Sequence, residues 1–248
     1  MWKYHGAGPW FPEIALYGST HPNADLGIHL TLTSEWKYYR WGPVSGRDKS
    51  PSLVNALSFL YASADSVARM AVLNEVEQEL RSQIQRCIAF GLYPTHLDSH
   101  MGTCFLNKDY VRIYLKLARE FHLPCLLNRE AFQFLTGVDI SELITPEDVV
   151  LDKIFMAFPQ DFKSGMADYY TKVIKSLQPG LSCILLHAAY DNDEMKAVTV
   201  DRPDYGAAWR QADFDFWSSD AAKKILAENN IHLIGWKEIK QKLFDKKQ

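Results

Sequence analysis

The sequence predicts an α/β fold, a parallel sheet covered by helices, and two observations carry that prediction. Apolar runs of strand length alternate with helical patterns along the chain. Several of those runs also end in a polar, chemistry-bearing residue, which is where strands of such folds deliver functional groups. With no solenoid-length repeat, low-complexity tract or Gly/Ser-rich linker in its 248 residues, the chain reads as a single domain over 1–248.

The strand candidates, in order, are DLGIHLTLT (25–33), PTHLDSH (94–100), LPCLLN (123–128), VVLDKIF (149–155), LSCILLH (181–187) and IHLIGW (231–236). Between them, residues 66–90 form the clearest helix: Val72, Val76, Leu80, Ile84 and Cys87 recur at three and four before Gly91 ends it. Further helices are expected over 109–121, over 162–177 with Pro179-Gly180 as the stop, over 220–228 and in the charged tail from Lys237. Polar groups mark strand ends at His29, His100, Asn128 and His187. An open doubly wound sheet satisfies the same alternation, but no G-x-G-x-x-G follows a strand, which argues against its nucleotide-binding form.

A formal net charge of -3 offers no basic surface for nucleic acid or an anionic membrane. A small-molecule or sugar partner fits better. Cys87, Cys104, Cys125 and Cys183 lack paired spacing and read as reduced, mostly buried thiols. No leader-like segment and no window of about 18 apolar residues is present, so cytoplasmic residence is expected. Seven Trp and twelve Tyr include Trp36, Trp41 and Trp209 in loop-like stretches, where exposed rings could stack on sugar faces; the competing expectation is that such rings pad the fold.

Alternation in LGIHLTLT places Leu26, Ile28, Leu30 and Leu32 on one face and Gly27, His29, Thr31 and Thr33 on the other. In THLDSH the same period gathers His96, Asp98 and His100 on one side. Two imidazoles and a carboxylate suit a divalent ion that keeps open positions for water and substrate. Asp98 is placed to hold a neighbouring imidazole in one tautomer. His187, at the end of an apolar run, has the setting of a general acid, although a strand-end surface His reads equally well. Arg210 and Asp213 could orient or charge-stabilise a site; a surface ion pair is the plainer reading.

On LGIHLTLTSEW, PTHLDSH, His187 and the late AAWRQADFDFW…IHLIGW stretch, the chain resembles the YdjC-like carbohydrate deacetylases. The resemblance implies a distorted (β/α) barrel that removes acetyl groups from N-acetylated sugars or oligosaccharides with a divalent metal, usually magnesium, with zinc as an alternative. It implies one Asp and two His as metal ligands. The imidazoles fall on His29 and His100, with His96 a neighbour and further candidate, and His187 matches the late histidine that protonates the leaving amine. Asp98 and Arg210 are counted with the catalytic groups, Trp36, Trp41 and Trp209 with substrate binding.

Two departures stand out. Family members open with a strand ending in Asp-Asp, which supplies the metal carboxylate and the general base, and this sequence begins beyond it; the second departure is HAA at 187–189 in place of His-Pro. The expectation is therefore an N-terminally shortened member, impaired in metal binding, with an exposed sheet edge open to pairing with another copy. A sugar-binding barrel without catalysis is the alternative. A glycosidase would need convergent carboxylates where this sequence has imidazoles.

Overall fold

The computed structural model describes residues 2–137 and 139–244, and within it the chain forms two compact units. The first comprises residues 1–35, 40–150 and 234–248; the second comprises 36–39 and 151–233.

In the first unit, β1 (Trp2–Tyr4), β2 (Leu26–Leu30) and β3 (Leu97–Ser99) form a parallel sheet in that order. The register sets Tyr4 beside Ile28 and His29 beside Asp98. Helix α1 (Phe11–Thr20) makes the β1–β2 crossover. Leu26, Ile28, Leu30 and Leu32 are buried as the alternation predicts, and Gly27, Thr31 and Thr33 on the opposite face are buried too, as a parallel sheet covered on both sides requires.

The predicted helix over 66–90 is two helices, α2 (Ala64–Met70) and α3 (Leu73–Ala89). Ser63 caps the first by accepting from the Ser66 amide, and the chain then extends through Ala71 and Val72, whose amide donates to Ser52 Oγ at 2.9 Å. Val72, expected on the apolar face, is exposed; Val76, Leu80, Ile84 and Cys87 are buried. That face also buries Glu79 and Gln83. The Gln83 amide accepts from Thr31 N at 3.0 Å and donates to Thr31 O at 2.7 Å, pairing the strand exit as another strand would. Glu79 accepts from the Val44 and Ser45 amides and so holds the loop that follows.

Helices α4 (Lys108–Glu120) and α5 (Arg129–Thr136) complete the first stretch of this unit. Expected strand 123–128 contributes one bridge, Cys125 to Leu97, because Pro124 has no amide to donate and only its carbonyl takes part in pairing.

In the second unit β4 (Lys153–Met156) pairs in parallel with β5 (Ser182–Leu185). Between them the expected helix over 162–177 is split into α6 (Pro159–Ser164) and α7 (Met166–Ser176) by Gly165 at φ 112°, a conformation that favours glycine. Helices α8 (Asp193–Val198), α9 (Ala207–Ser218) and α10 (Asp220–Glu228) follow. Tyr170, Ile174, Trp209, Phe216 and Leu226 form the apolar core.

Residues 231–235 form no strand, and Leu233 is exposed; α11 (Trp236–Phe244) returns to the first unit. Among the described residues the named strands form a three-stranded and a two-stranded parallel sheet rather than one closed ring. No described helix is long and apolar enough to cross a membrane.

Candidate functional site

Three parallel chain segments deliver histidines to one end of the first sheet. His5 follows β1, His29 lies near the end of β2, and His100 follows β3. Side-chain nitrogens of the three lie within 4.8 Å of one another, with ring centroids 4.5 to 5.1 Å apart. This is the C-terminal end of parallel strands, where backbone ladders stop and side chains are released toward a ligand.

Each of two imidazoles is held from behind by a buried carboxylate. Asp98, directly opposite His29 in the register, bonds His29 Nδ1. Glu35 bonds His100 Nε2 at 2.9 Å. Asp98 is where the period of THLDSH put it; Glu35 comes from a loop, and no strand periodicity announces it.

His100 turns in because the chain breaks sharply after β3: Met101 (φ 50°) and Gly102 (φ 64°) both adopt left-handed conformations, opening a 3-10 turn over His100–Phe105. The hydroxyl of Thr103 donates to the His100 carbonyl at 3.0 Å, and Ser99 Oγ accepts from the Cys104 amide.

His5 is the residue that sequence reasoning missed. Its Nδ1 is buried without a hydrogen-bond partner, and its ring lies 5.5 Å from that of Trp41. Burial, reinforced by His100 and His29, holds its pKa far below the ordinary imidazole value, against the opposing pull of Asp98. That shift favours the neutral ring, the form that offers a lone pair.

His96 shares the face of Asp98 but sits one layer away from the three histidines. It stacks on Trp236 at 4.9 Å and covers Gly27, where an added Cβ would lie 2.1 Å from His96 Cε1. The metal-ligand expectation for His96 thus gives way to a packed, fully buried position, because its strand position precedes the sheet end by two residue pairs.

In the second unit, His187 lies two residues past β5 and is exposed. Its backbone amide donates to Asp213 Oδ2 at 2.8 Å, while the Tyr170 hydroxyl donates to Asp213 Oδ1 at 2.5 Å. Asp213 is fully buried, so its interaction with Arg210 is not the surface ion pair expected. Burial raises its carboxyl pKa, opposed by those two bonds and by Arg210. Arg210 donates from Nε to the Tyr205 carbonyl at 3.0 Å and lies 5.6 Å over the Trp36 ring.

The aromatic expectations divide. Trp36 is half-buried, flanked by Arg202 and Arg210. Trp41 and Trp209 are buried and offer no exposed face for a sugar: Trp41 lies beside His5 and His100, and Trp209 packs against Phe162 and Tyr205 in the second core.

Comparison with known proteins finds relatives that match over most of the chain. A carbohydrate deacetylase of Thermus thermophilus is 30% identical over 229 residues, covering 89% of this chain and 79% of that protein. One of Brevibacillus brevis is 27% identical, covering 88% of this chain and 79% of its own length. A solved structure from Enterococcus faecalis V583, named for cellobiose-phosphate cleavage, superposes with a TM-score of 0.73 at 20% identity, over 96% of this chain and 87% of that one, and shares the fold. The model of the YdjC-like protein family matches residues 7–228, nearly the whole chain, and the chain belongs to that family.

Proposed function

We propose that the protein is a carbohydrate deacetylase, an amide hydrolase that removes acetyl groups from N-acetylated sugars or oligosaccharides with the help of a divalent metal. The carrying observation is the convergence of His5, His29 and His100 at one sheet end, two of them held by buried carboxylates. The curated relatives named carbohydrate deacetylase support the reaction class.

His29 and His100 would hold the ion. A bound divalent cation supplies Lewis-acid polarisation of the acetamide carbonyl and lowers the pKa of water at the site. Asp98 and Glu35 keep the two rings oriented and make them better donors. His187, by resemblance, protonates the departing nitrogen, and Asp213 steadies it through its backbone amide. Arg210 and Trp36 belong to the substrate side of the same reading. A single domain, the distorted barrel of the resemblance, a cytoplasmic setting and a homo-oligomer are parts of this proposal too.

The test is acetate release from N-acetylglucosamine oligomers. Turnover that stops with a chelator and returns with added divalent ion is the expected result. Turnover indifferent to chelation contradicts the metal, and sugar binding without any acetate release favours the non-catalytic alternative.

A further inference from the structure

The donor set around His5 differs from the one the family resemblance implies, and the difference bears on which ion is bound. We propose that His5, His29 and His100 form a three-imidazole site for a borderline ion of the zinc class, with His5 as a third ligand and magnesium excluded. This deepens the metal-dependent reading above and rests on it.

Asp98 accepts the proton of His29 Nδ1, and Glu35 accepts that of His100 Nε2. The other nitrogens of the two rings face each other, His29 Nε2 meeting His100 Nδ1 at 3.2 Å. That gap is filled either by one shared proton or by a cation that both nitrogens bind. The third ring favours the cation, because His5 Nδ1 is buried without a hydrogen-bond partner, which is costly unless a ligand satisfies it. One ion answers all three rings, since one nitrogen of each lies within 4.8 Å of the other two.

Ion choice follows from donor chemistry. Imidazole nitrogens suit zinc, cobalt, nickel and copper, and three of them with an open fourth position make a known catalytic zinc arrangement. Magnesium requires hard oxygen donors in an octahedron and is held by carboxylates and water. Here the two nearby carboxylates are already engaged behind the rings, so they orient ligands.

A shared proton is the competing occupant of the gap between His29 and His100, and direct binding separates the two. The 248-residue chain, stripped with a chelator, is titrated with Zn2+, Co2+ and Mg2+ by calorimetry, together with His5→Ala, His100→Ala, His5→Asp and the exposed control His232→Ala. One Zn2+ per chain is expected, with Mg2+ at least about 100-fold weaker. Because losing even an orienting partner costs about 10–100-fold in affinity, His5→Ala should weaken Zn2+ binding by about 100-fold or more, and His232→Ala should leave it unchanged.

Co2+ should give visible d–d absorption in the wild type that His5→Ala alters. His5→Asp should gain Mg2+ binding, a gain that misfolding cannot produce. Mg2+ bound as tightly as Zn2+, or Zn2+ affinity lost in His100→Ala but within about threefold of wild type in His5→Ala, overturns the inference. Acetate release is scored separately: tight, His5-dependent Zn2+ binding without turnover removes the deacetylase reading and keeps this site, whereas Mg2+-driven turnover independent of His5 does the reverse.

Discussion

Two buried carboxylates set the behaviour of the imidazoles at the sheet end. Asp98 lies across from His29 in the register, and replacing it by Asn removes the anion that fixes that ring while keeping its shape. Asp98→Asn is expected to weaken divalent-metal binding by about 10–100-fold without unfolding the chain, read by calorimetry beside a circular-dichroism melt. Cysteines mark the opposite extreme. Burial pushes the Cys87 and Cys104 thiols up to about 12 and Cys125 higher still, so none is nucleophilic at pH 8. Iodoacetamide on the native protein should modify at most the half-buried Cys183, as mass spectrometry would read; rapid labelling of Cys104 would contradict the buried core. At this scale period-two alternation made His29, Asp98 and His100 legible. His5 was not, because the three residues of β1 are too few to display a period and nothing in WKYH pairs it with residues beyond position 25.

Among the elements, β2 and β3 are joined by a contact with no slack. Gly27 lies under His96, which is itself stacked on Trp236, so the ring cannot retreat from an added methyl group. Gly27→Ala should therefore destabilise the chain by about 1–3 kcal/mol in urea denaturation, the usual cost of overpacking. An unchanged midpoint would mean that His96 is not wedged there. Helices α4, α7, α10 and α11 lie where helical patterns were expected, over 109–121, 162–177, 220–228 and from Lys237. The break between α2 and α3 was not, because its partner, Ser52, is twenty residues from Val72. Expected strand 123–128 was limited to a bridge by Pro124, and 231–235 has an exposed leucine where a strand would bury one. The α2–α3 contact is distant in sequence, so local pattern carries no record of it, whereas Pro124 stands within the expected strand itself.

At the scale of the whole molecule, local alternation of strand and helix was enough to announce an α/β chain with parallel pairing. The division into two compact units was not readable, since residues 234–248 rejoin the first unit after the entire second one. One titration reports on the second unit as a whole. Asp213 is buried between Tyr170 and the His187 amide, and its folded pKa is raised, chiefly by desolvation. A raised value means folding favours the protonated form. Its contribution is full below the unfolded carboxylate pKa of about 3.9 and is lost as pH rises through the folded value. Asp213→Asn cannot titrate, so the melting temperature of wild type minus variant should fall as pH rises above about 4; a flat difference would contradict the raised pKa.

The central claim is that the histidines at the end of the first sheet hold a divalent ion on which sugar deacetylation depends. Metal content and acetate release, measured on the same preparations of wild type and His100→Ala, test it most directly. The account predicts one divalent ion per wild-type chain and acetate released from an N-acetylglucosamine oligomer, with both lost together in a variant that remains folded. Acetate release by metal-free His100→Ala at the wild-type rate would contradict it.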